Sequence, residues 1–457
     1  MRRKGMEKYD VIVCGGGTAG TMAAISSARL EARTLLVERD GFLGGTASYG
    51  IPFLGFFSGD GTKVVGGIPQ ELVDRMVALH GCVGHVRGGT WRTGSGEYDY
   101  EFSLTPYDPE CLKFAAQEMV LEAGAQLMFQ SMLIGTKLDG KKVSSIELMT
   151  PEGRQEVQAD VFVDATGDAM LSWLAGFPTE LRGRGNMQNV THIIRVGNVD
   201  ADRMVECLKA EDAIKGLWDW HIRLTRGPLL DGEEGFVHIA GHAQLWEDKP
   251  PLTFTGVSWR KEEMSFNITR TTNVDPTKAK DINRAEINER RNVAAVIEAM
   301  RERIPGFEKA YLVSTCTRVG IREGRRIRGL HTLTEEEVIE RSEFPDGIAR
   351  GAYPIDIHDP KGGKTQFSFI KGGGSYAVPY RCLIPEGSEN LLVAGRGVST
   401  TGKALGSVRL MPCCMALGQA AGTGAALASQ GSVPPMKLDV NKLRSRLLKD
   451  DAILEVS

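Results

Sequence analysis

The chain has no apolar run close to the roughly 20 residues that a membrane-spanning helix needs, and it has no excess of charge of either sign. Its 55 basic and 58 acidic side chains leave a formal net charge of −3. A balance this close to zero gives no electrostatic reason to expect nucleic acid or an anionic membrane as a partner. The ordinary shares of apolar and charged residues exclude a disordered or fibrous chain. We therefore expect a globular protein without a membrane span.

Cysteine pairs with metal-binding spacing are also missing. None of the eight cysteines forms a C-x-x-C pair, which excludes the usual patterns of an iron–sulfur cluster or a structural zinc. His238 and His242 have the spacing of metal ligands on a helix, but Gly241 and the lack of a third ligand nearby argue against a metal. The basic start is followed by no apolar signal core, and scattered thiols in such a chain indicate a reducing compartment. The sequence predicts a cytoplasmic protein with no bound metal.

Glycine is in excess, with 55 residues, or 12% of the 457, against a usual share of about 7%. The first cluster, Gly-Gly-Gly-Thr-Ala-Gly at 15–20, follows a β-rich run at 9–14. A small-residue helix at 21–30 and a second strand at 33–37 come next, and that strand ends in Glu38. This order of strand, G-x-G-x-x-G, helix, strand and acid is that of a dinucleotide-binding βαβ unit, which leaves FAD and NAD as candidate cofactors.

The positions of this unit have separate physical roles. Gly15 permits the tight turn, Gly17 lets backbone approach a pyrophosphate, and Gly20 lets the helix lie close to the sheet. The helix N-terminus offers N–H groups to the anion. Glu38 is placed to accept hydrogen bonds from an adenosine ribose. The candidate cofactor-binding residues here are Gly15, Gly17, Thr18, Ala19, Gly20, Glu38 and Arg39.

Two further segments distinguish FAD from NAD. Residues 41–48 read G-F-L-G-G-T-A-S, and residues 161–168 are an apolar strand that ends in A-T-G-D. With V-I-V-C-G-G-G-T-A-G and V-E-R, they resemble the FAD-dependent oxidoreductases with the glutathione-reductase-type fold. The resemblance implies that the first segment follows the FAD pyrophosphate and ribityl chain, although on local chemistry a surface turn is the alternative. The implied FAD-binding residues are Gly44, Gly45, Thr46, Ala47, Ser48, Ala165, Thr166 and Gly167.

A third segment lies in the last 70 residues. A strand at 390–394 is followed by Gly-Arg-Gly, and Pro412 begins a small-residue helix that runs to about residue 428. N-L-L-V-A-G-R and A-L-G-S-V-R-L-M-P-C-C-M-A-L-G-Q-A-A-G resemble the last FAD-contacting segment of the bacterial FAD-dependent oxidoreductases. The resemblance implies that the helix N-terminus faces the pyrimidine edge of the flavin, where it stabilises an anion. The implied residues are Gly395, Arg396, Pro412, Cys413 and Cys414.

The two adjacent cysteines of this helix allow two interpretations. A thiol at a helix N-terminus has a lowered pKa, so Cys413 and Cys414 could be reactive or linked to the flavin. They could equally be small packing residues, which we favour. The C-x-x-C or C-x(4)-C pair of flavoprotein disulfide reductases is missing, so dithiol chemistry is not expected.

The candidate catalytic residues come from the second half of the chain. His358 titrates near neutral pH and could exchange the proton that accompanies hydride transfer, with a structural histidine as the alternative. Arg322, Arg325 and Arg381 could bind a carboxylate or pair with acidic side chains, and Arg409 is a candidate neighbour of flavin or substrate. The stretches that resemble the same family in this half lie at 266–270, 305–308, 318–327, 353–358 and 376–385.

We expect an α/β fold in which a glutathione-reductase-type FAD-binding Rossmann domain carries an inserted α+β substrate domain. The FAD domain is predicted at residues 1–52, 106–180 and 385–457, and the substrate or cap domain at 53–105 and 181–384. The predicted activity is hydride transfer between a small organic substrate, with a hydroxylated molecule favoured, and FAD N5. The alternatives are reduction of an activated C=C bond and electron transfer to a partner chain. The electron acceptor and a homo-oligomeric state stay open.

Overall fold

The computed structural model describes residues 7–92, 99–209, 218–219, 225–228, 234–243, 252–361 and 365–456. In chain order its strands are β1 (Lys8–Cys14), β2 (Thr34–Val37), β3 (Phe53–Leu54), β4 (Val86–Arg92), β5 (Asp99–Thr105), β6 (Gln126–Met128), β7 (Met132–Asp139), β8 (Lys142–Thr150), β9 (Gly153–Asp164), β10 (Thr179–Glu180), β11 (Ile193–Gly197), β12 (Trp218–Asp219), β13 (Thr225–Pro228), β14 (Glu234–Ala243), β15 (Leu252–Arg260), β16 (Glu263–Asn267), β17 (Tyr311–Thr315), β18 (Arg326–Ile327), β19 (Gly347–Gly351), β20 (Ile355–Ile357), β21 (Gln366–Ser368), β22 (Tyr376–Pro379) and β23 (Leu391–Val393). Its helices are α1 (Thr18–Ala28), α2 (Ile68–Ala78), α3 (Pro109–Glu122), α4 (Met170–Leu174), α5 (Ala201–Lys209), α6 (Ala279–Arg303), α7 (Glu335–Ile339), α8 (Leu405–Val408), α9 (Met411–Gln430) and α10 (Val440–Lys449).

A parallel sheet lies at the centre of the larger core. Its strands follow the order β6-β2-β1-β9-β23. Side chains on both faces are apolar and buried, as parallel sheets require. Val11 and Val13 of β1 pack with α1, α3 and α9, whereas Ile12 packs with Val143 and Ile146 of β8. The molecule is therefore a mixed α/β protein with a Rossmann-like core.

Strands that are far apart in sequence meet in this sheet. The central strand β9 pairs with β1 on one side and with β23, more than 200 residues later, on the other. Near its start β9 also pairs antiparallel with β8, which pairs with β7 to form a meander. The turn between β7 and β8 is at Asp139 and Gly140, where the sequence predicts a hairpin. The domain boundaries at residues 52, 105, 180 and 384 stay a prediction.

A second, antiparallel sheet lies entirely between residues 193 and 315. Its strands follow the order β12-β14-β15-β16-β11-β17, and β13 pairs with β14. The sequence predicts a helix over 278–303, and α6 spans Ala279–Arg303 and packs against this sheet. Among the described residues, no helix has the length and apolar character needed to cross a membrane.

His238 and His242 lie on strand β14 of the second sheet. In a strand, residues four apart are separated by about 13 Å along the chain, too far for two ligands of one metal ion. The helical spacing that drew attention to this pair therefore does not apply.

Helices α1 and α9 pack against each other through glycine. A Cβ atom added to Gly418 would lie 2.1 Å from the carbonyl oxygen of Ala19, and one added to Gly422 would lie 2.1 Å from that of Ala23. The two backbones are therefore in direct contact. This contact explains why α9 contains interior glycines, which weaken an isolated helix by about 1 kcal/mol each relative to alanine.

Replacing Gly422 with alanine is expected to lower the free energy of unfolding by about 1–3 kcal/mol, because the added methyl group forces α9 away from α1. Gly424→Ala is the matched control, since its Cβ would come no closer than 3.3 Å to the nearest atom, Tyr380 Oη. The measurement is denaturant unfolding of both variants. Equal stabilities of Gly422→Ala and the parent protein would show that this contact is not needed.

Candidate active site

A cavity of about 850 Å³, here called the central cavity, opens at the carboxyl ends of the parallel strands. Cys14 and Val37 end β1 and β2, Ala165 and Ala394 follow β9 and β23, and all four line it. Ligands of open α/β sheets bind at this edge. The second sheet and the segments that follow it form the facing wall, which includes Asn267. The volume lies within the range of about 300–1,000 Å³ that is usual for ligand pockets.

The glycine turn after β1 forms one wall of the central cavity. Gly15 has φ +102°, and its Cβ would lie 2.6 Å from the carbonyl oxygen of Ala165. A Cβ on Gly20 would lie 1.7 Å from the carbonyl oxygen of Gly15, so the helix lies directly on the turn. A Cβ on Gly17 would meet nothing within 4 Å. Gly17 is the N-cap of α1 and lines the cavity, and no side chain caps this helix end, which suits an anion.

Glu38 is the buried acid at the end of the second strand, and it lines the cavity together with Arg39. Its Oε2 accepts a hydrogen bond from the Gly16 N–H at 2.6 Å, and its Oε1 accepts one from the Asp40 N–H at 2.8 Å. These two bonds fix the carboxylate, and each oxygen keeps a second lone pair for a ligand hydroxyl group.

The segment from Gly44 to Ser48 packs on the glycine turn. Gly44 has φ +108°, and its N–H donates to the Gly16 carbonyl oxygen at 2.8 Å. Gly45 and Thr46 line the central cavity. The remaining predicted residues of this segment, which do not line the cavity, are Gly44, Ala47 and Ser48. The hydroxyl group of Ser48 donates to the Gly45 carbonyl oxygen at 2.6 Å, so it stabilises the turn.

The turn after β9 is held by a buried carboxylate. Asp164 accepts hydrogen bonds from the backbone and hydroxyl groups of both Thr166 and Ser172. The turn presents Ala165, Thr166 and Gly167 to the cavity. Arg396, which follows β23, also lines the cavity and pairs with Asp168 at 3.0 Å. Segments from both parts of the chain thus meet at one wall.

The start of α9 is buried. The helix begins at Met411, one residue before Pro412, and neither Pro412 nor Cys413 lines the cavity, whereas Cys414 does. Burial raises the pKa of Cys414 to about 12 and holds the pKa of Cys413 well above its usual value. The loss of solvation outweighs any effect of the helix N-terminus, so both side chains are protonated thiols. This geometry fits packing residues and argues against reactive thiolates.

The structure brings three of the four candidate catalytic residues to the cavity. His358, Arg322 and Arg409 all line it. Arg381 does not, which corrects the expectation that it contacts the substrate. Its guanidinium donates from Nε to Asp346 Oδ2 at 2.9 Å, and its side chain is 45% exposed. The nearby acid holds Arg381 at the surface.

Two charged residues that the sequence analysis did not select join them in the cavity. Asp356 and Arg270 lie beside Arg409, Arg322 and His358 in the cavity wall. Arg270 ends the stretch at 266–270, and Asp356 lies within the stretch at 353–358, both of which resemble the family. That resemblance was the available signal. It could not indicate that strands of different sheets bring the two side chains together.

Asp356 lies between Arg409 and His358. Its Oδ2 accepts from Arg409 Nη2 at 3.3 Å, and its Oδ1 lies 3.6 Å from His358 Nε2. Thr365 Oγ1 is 3.1 Å from His358 Nδ1. Among the described residues, Asp356 Oδ1 and Arg409 Nε are buried without a hydrogen-bond partner. The arrangement therefore leaves donors and acceptors for a ligand.

The electrostatics of this group follow from burial and from the positive charges. Burial, and then the charges of Arg322, Arg270 and Arg409, hold the pKa of His358 well below its usual value. Burial also raises the pKa of Asp356, although the same arginines oppose this effect. His358 is consequently a neutral imidazole at neutral pH and can accept a proton.

A family model described as "FAD dependent oxidoreductase" matches residues 10–447 of the chain. Among solved structures, a geranylgeranyl bacteriochlorophyll reductase-like protein from Thermoplasma acidophilum is similar at 15% identity and a TM-score of 0.49, over 98% of this chain and 85% of that one. The myxobacterial chondrochloren halogenase CndH is similar at 15% identity and a TM-score of 0.47, over 96% of this chain and 78% of that one.

Proposed function

Because the chain belongs to the FAD-dependent oxidoreductase family, we propose that it transfers a hydride between a small hydroxylated organic molecule and N5 of its flavin. The protein is an enzyme, and its cofactor is FAD. The observation that carries the finer proposal is the group of His358 and three arginines in the cavity whose other wall is the glycine turn. A neutral imidazole beside cationic side chains suits the removal of a proton from a hydroxyl group.

The residues of the cavity fit FAD. The open space at Gly17 and the N-terminus of α1 would receive the pyrophosphate. The fixed carboxylate of Glu38 would accept from the ribose hydroxyl groups. Arg396, whose Nε is buried without a partner among the described residues, has a donor left for the cofactor. When bound, FAD supplies the acceptor or donor of the hydride.

His358 would take the proton of the substrate hydroxyl group at Nε2. Its Nδ1 lies within hydrogen-bond distance of Thr365 Oγ1, so that contact orients the ring and leaves Nε2 toward Asp356. The depressed pKa of His358 keeps the imidazole unprotonated before the reaction. Asp356 then stabilises the imidazolium that forms, because its Oδ1 is 3.6 Å from Nε2.

We also propose that the parallel sheet belongs to a glutathione-reductase-type FAD domain built from residues 1–52, 106–180 and 385–457. The pairing of β9 with both β1 and β23 supports this division, since it joins early and late parts of the chain in one sheet. The rest of the chain, residues 53–105 and 181–384, would hold the substrate over the cofactor.

The proposal is tested by anaerobic screening of alcohols, hydroxy acids, sugars and enoates against the FAD-loaded protein. We expect at least one hydroxylated compound to bleach the oxidised flavin. Reoxidation of chemically reduced flavin by an enoate, with no response to hydroxylated compounds, would favour reduction of a C=C bond instead. Failure of every compound, together with a copurifying second chain that accepts electrons, would favour an electron-transfer subunit.

A further inference from the structure

We propose that Arg270, Arg322 and Arg409, here called the arginine cluster, bind a carboxylate of the substrate. This inference deepens the proposed function, on which it rests for the reaction, and it names the substrate class as a small hydroxy acid. All three residues line the central cavity beside His358.

The cluster is held in place by neutral groups of the protein. Arg322, which is 7% exposed, donates to the Asn189 carbonyl oxygen at 2.8 Å and to Asn267 Oδ1 at 3.2 Å. Arg270 donates to the same Asn267 oxygen at 2.9 Å. These bonds fix the guanidinium groups without neutralising their charge.

The crowding of these charges has a physical cost. The pKa of Arg322 is lowered by burial first and then by the charges of Arg270 and Arg409. Arginine does not relieve such repulsion by losing its proton in proteins. A bound anion would relieve it, and the planar guanidinium group matches the two oxygens of a carboxylate.

The neighbouring acids leave room for one further negative charge. Asp356 is the carboxylate in contact with Arg409, and Glu289 lies near Arg270. Glu289 is fully buried and already accepts from the hydroxyl groups of Thr269 and Thr271 and from the His192 N–H. Three guanidinium groups thus face two carboxylates, which favours a monoanionic ligand group over a phosphate dianion.

Asp356 is a weak occupant of the cluster. Its contact with Arg409 is 3.3 Å long, whereas charge-assisted bonds of this kind are usually about 2.7–2.9 Å. The buried Nε of Arg409 has no partner among the described residues and can donate to an incoming carboxylate. The proximity of His358 Nε2 to Asp356 then places the substrate hydroxyl group within one or two carbons of that carboxylate.

The test uses propionate, which has no hydroxyl group to oxidise, and propionamide as its neutral counterpart. Binding to the FAD-loaded full chain is followed by the change in flavin absorbance and, independently, by the shift in the thermal unfolding midpoint. We expect propionate to bind and propionamide to bind far more weakly. Arg322→Gln and Arg270→Gln should each weaken propionate binding by roughly 10- to 100-fold.

Two further variants sharpen the test. Asp356→Asn removes the competing charge and should tighten propionate binding by roughly tenfold, an effect that misfolding cannot imitate. Arg381→Gln removes an arginine outside the cavity and should leave binding unchanged. Equal affinities for propionate and propionamide, or no response to the cluster variants and Asp356→Asn, would overturn the inference.

The failure of this inference is distinguishable from that of the proposed function. If neutral alcohols bleach the flavin and propionate binding ignores the cluster, the reaction stands and the substrate class is wrong. If propionate binding depends on the cluster but no hydroxylated compound reduces the flavin, the anion site stands and the reaction is wrong.

Discussion

Replacing Gly17 with glutamate is expected to give a folded protein that has lost FAD. A side chain at this position enters open space in the cavity, so the fold accepts it. The carboxylate would then lie at the N-terminus of α1, where it takes the position of the pyrophosphate and repels it. Like charges in contact cost several kcal/mol, so we expect FAD affinity to fall roughly 10²- to 10³-fold. The ratio of flavin to protein after purification measures the effect.

Two controls separate charge from backbone effects. Gly41→Glu adds the same charge at an exposed position whose nearest neighbour, Gln130, is 3.8 Å away, and it should keep its FAD. Gly17→Ala should lose much less FAD than Gly17→Glu, because the backbone at Gly17, with φ −69°, accepts any residue. Normal FAD content in Gly17→Glu would show that this turn does not hold the pyrophosphate.

Replacing His358 with alanine is expected to slow flavin reduction by roughly 10²- to 10⁴-fold while FAD stays bound. The imidazole is the proposed proton acceptor, and it lies in the wall formed by the arginines rather than in the glycine turn. Anaerobic single-turnover reduction with the substrate identified by screening measures the rate. An unchanged rate would remove His358 from the mechanism, and loss of FAD would assign it to the cofactor site.

The pH dependence of the parent protein gives a second readout for His358. A protonated imidazole cannot accept the substrate proton, so the rate falls as pH drops through the pKa of His358. Burial and the charges of Arg322, Arg270 and Arg409 lower that pKa. The reduction rate should therefore stay level as pH falls through about 6.5, the ordinary histidine value, and decline only in more acidic solution. A decline centred near 6.5 would contradict the buried, neutral His358 described above.

The cofactor wall could be predicted from the sequence because its residues act through their local neighbours. Gly15 and Gly20 belong to one turn, and Glu38 ends the next strand, so their spacing alone indicates how they meet. The helix at 278–303 was predictable for the same reason, since its pattern is periodic and local.

The substrate wall could not be predicted in this way. Arg381 and Arg322 are equivalent in a sequence, but Asp346 holds the first at the surface, while Asn189 and Asn267 hold the second in the cavity. Each of these partners is at least 35 residues away along the chain. The thiols near Pro412 show the same limit, because their pKa values depend on burial and not on their place in the helix.

The contact between α1 and α9 has a consequence for how the protein is made. Helix α1 leaves the ribosome nearly 400 residues before α9, and β1 leaves well before β23. Until the late segments have been synthesised, the glycine turn lacks the helix that packs on it, and the central sheet lacks an interior pairing for β9. A nascent chain therefore cannot complete the nucleotide pocket during the first four-fifths of translation, and chaperones have an exposed apolar sheet to protect in that interval.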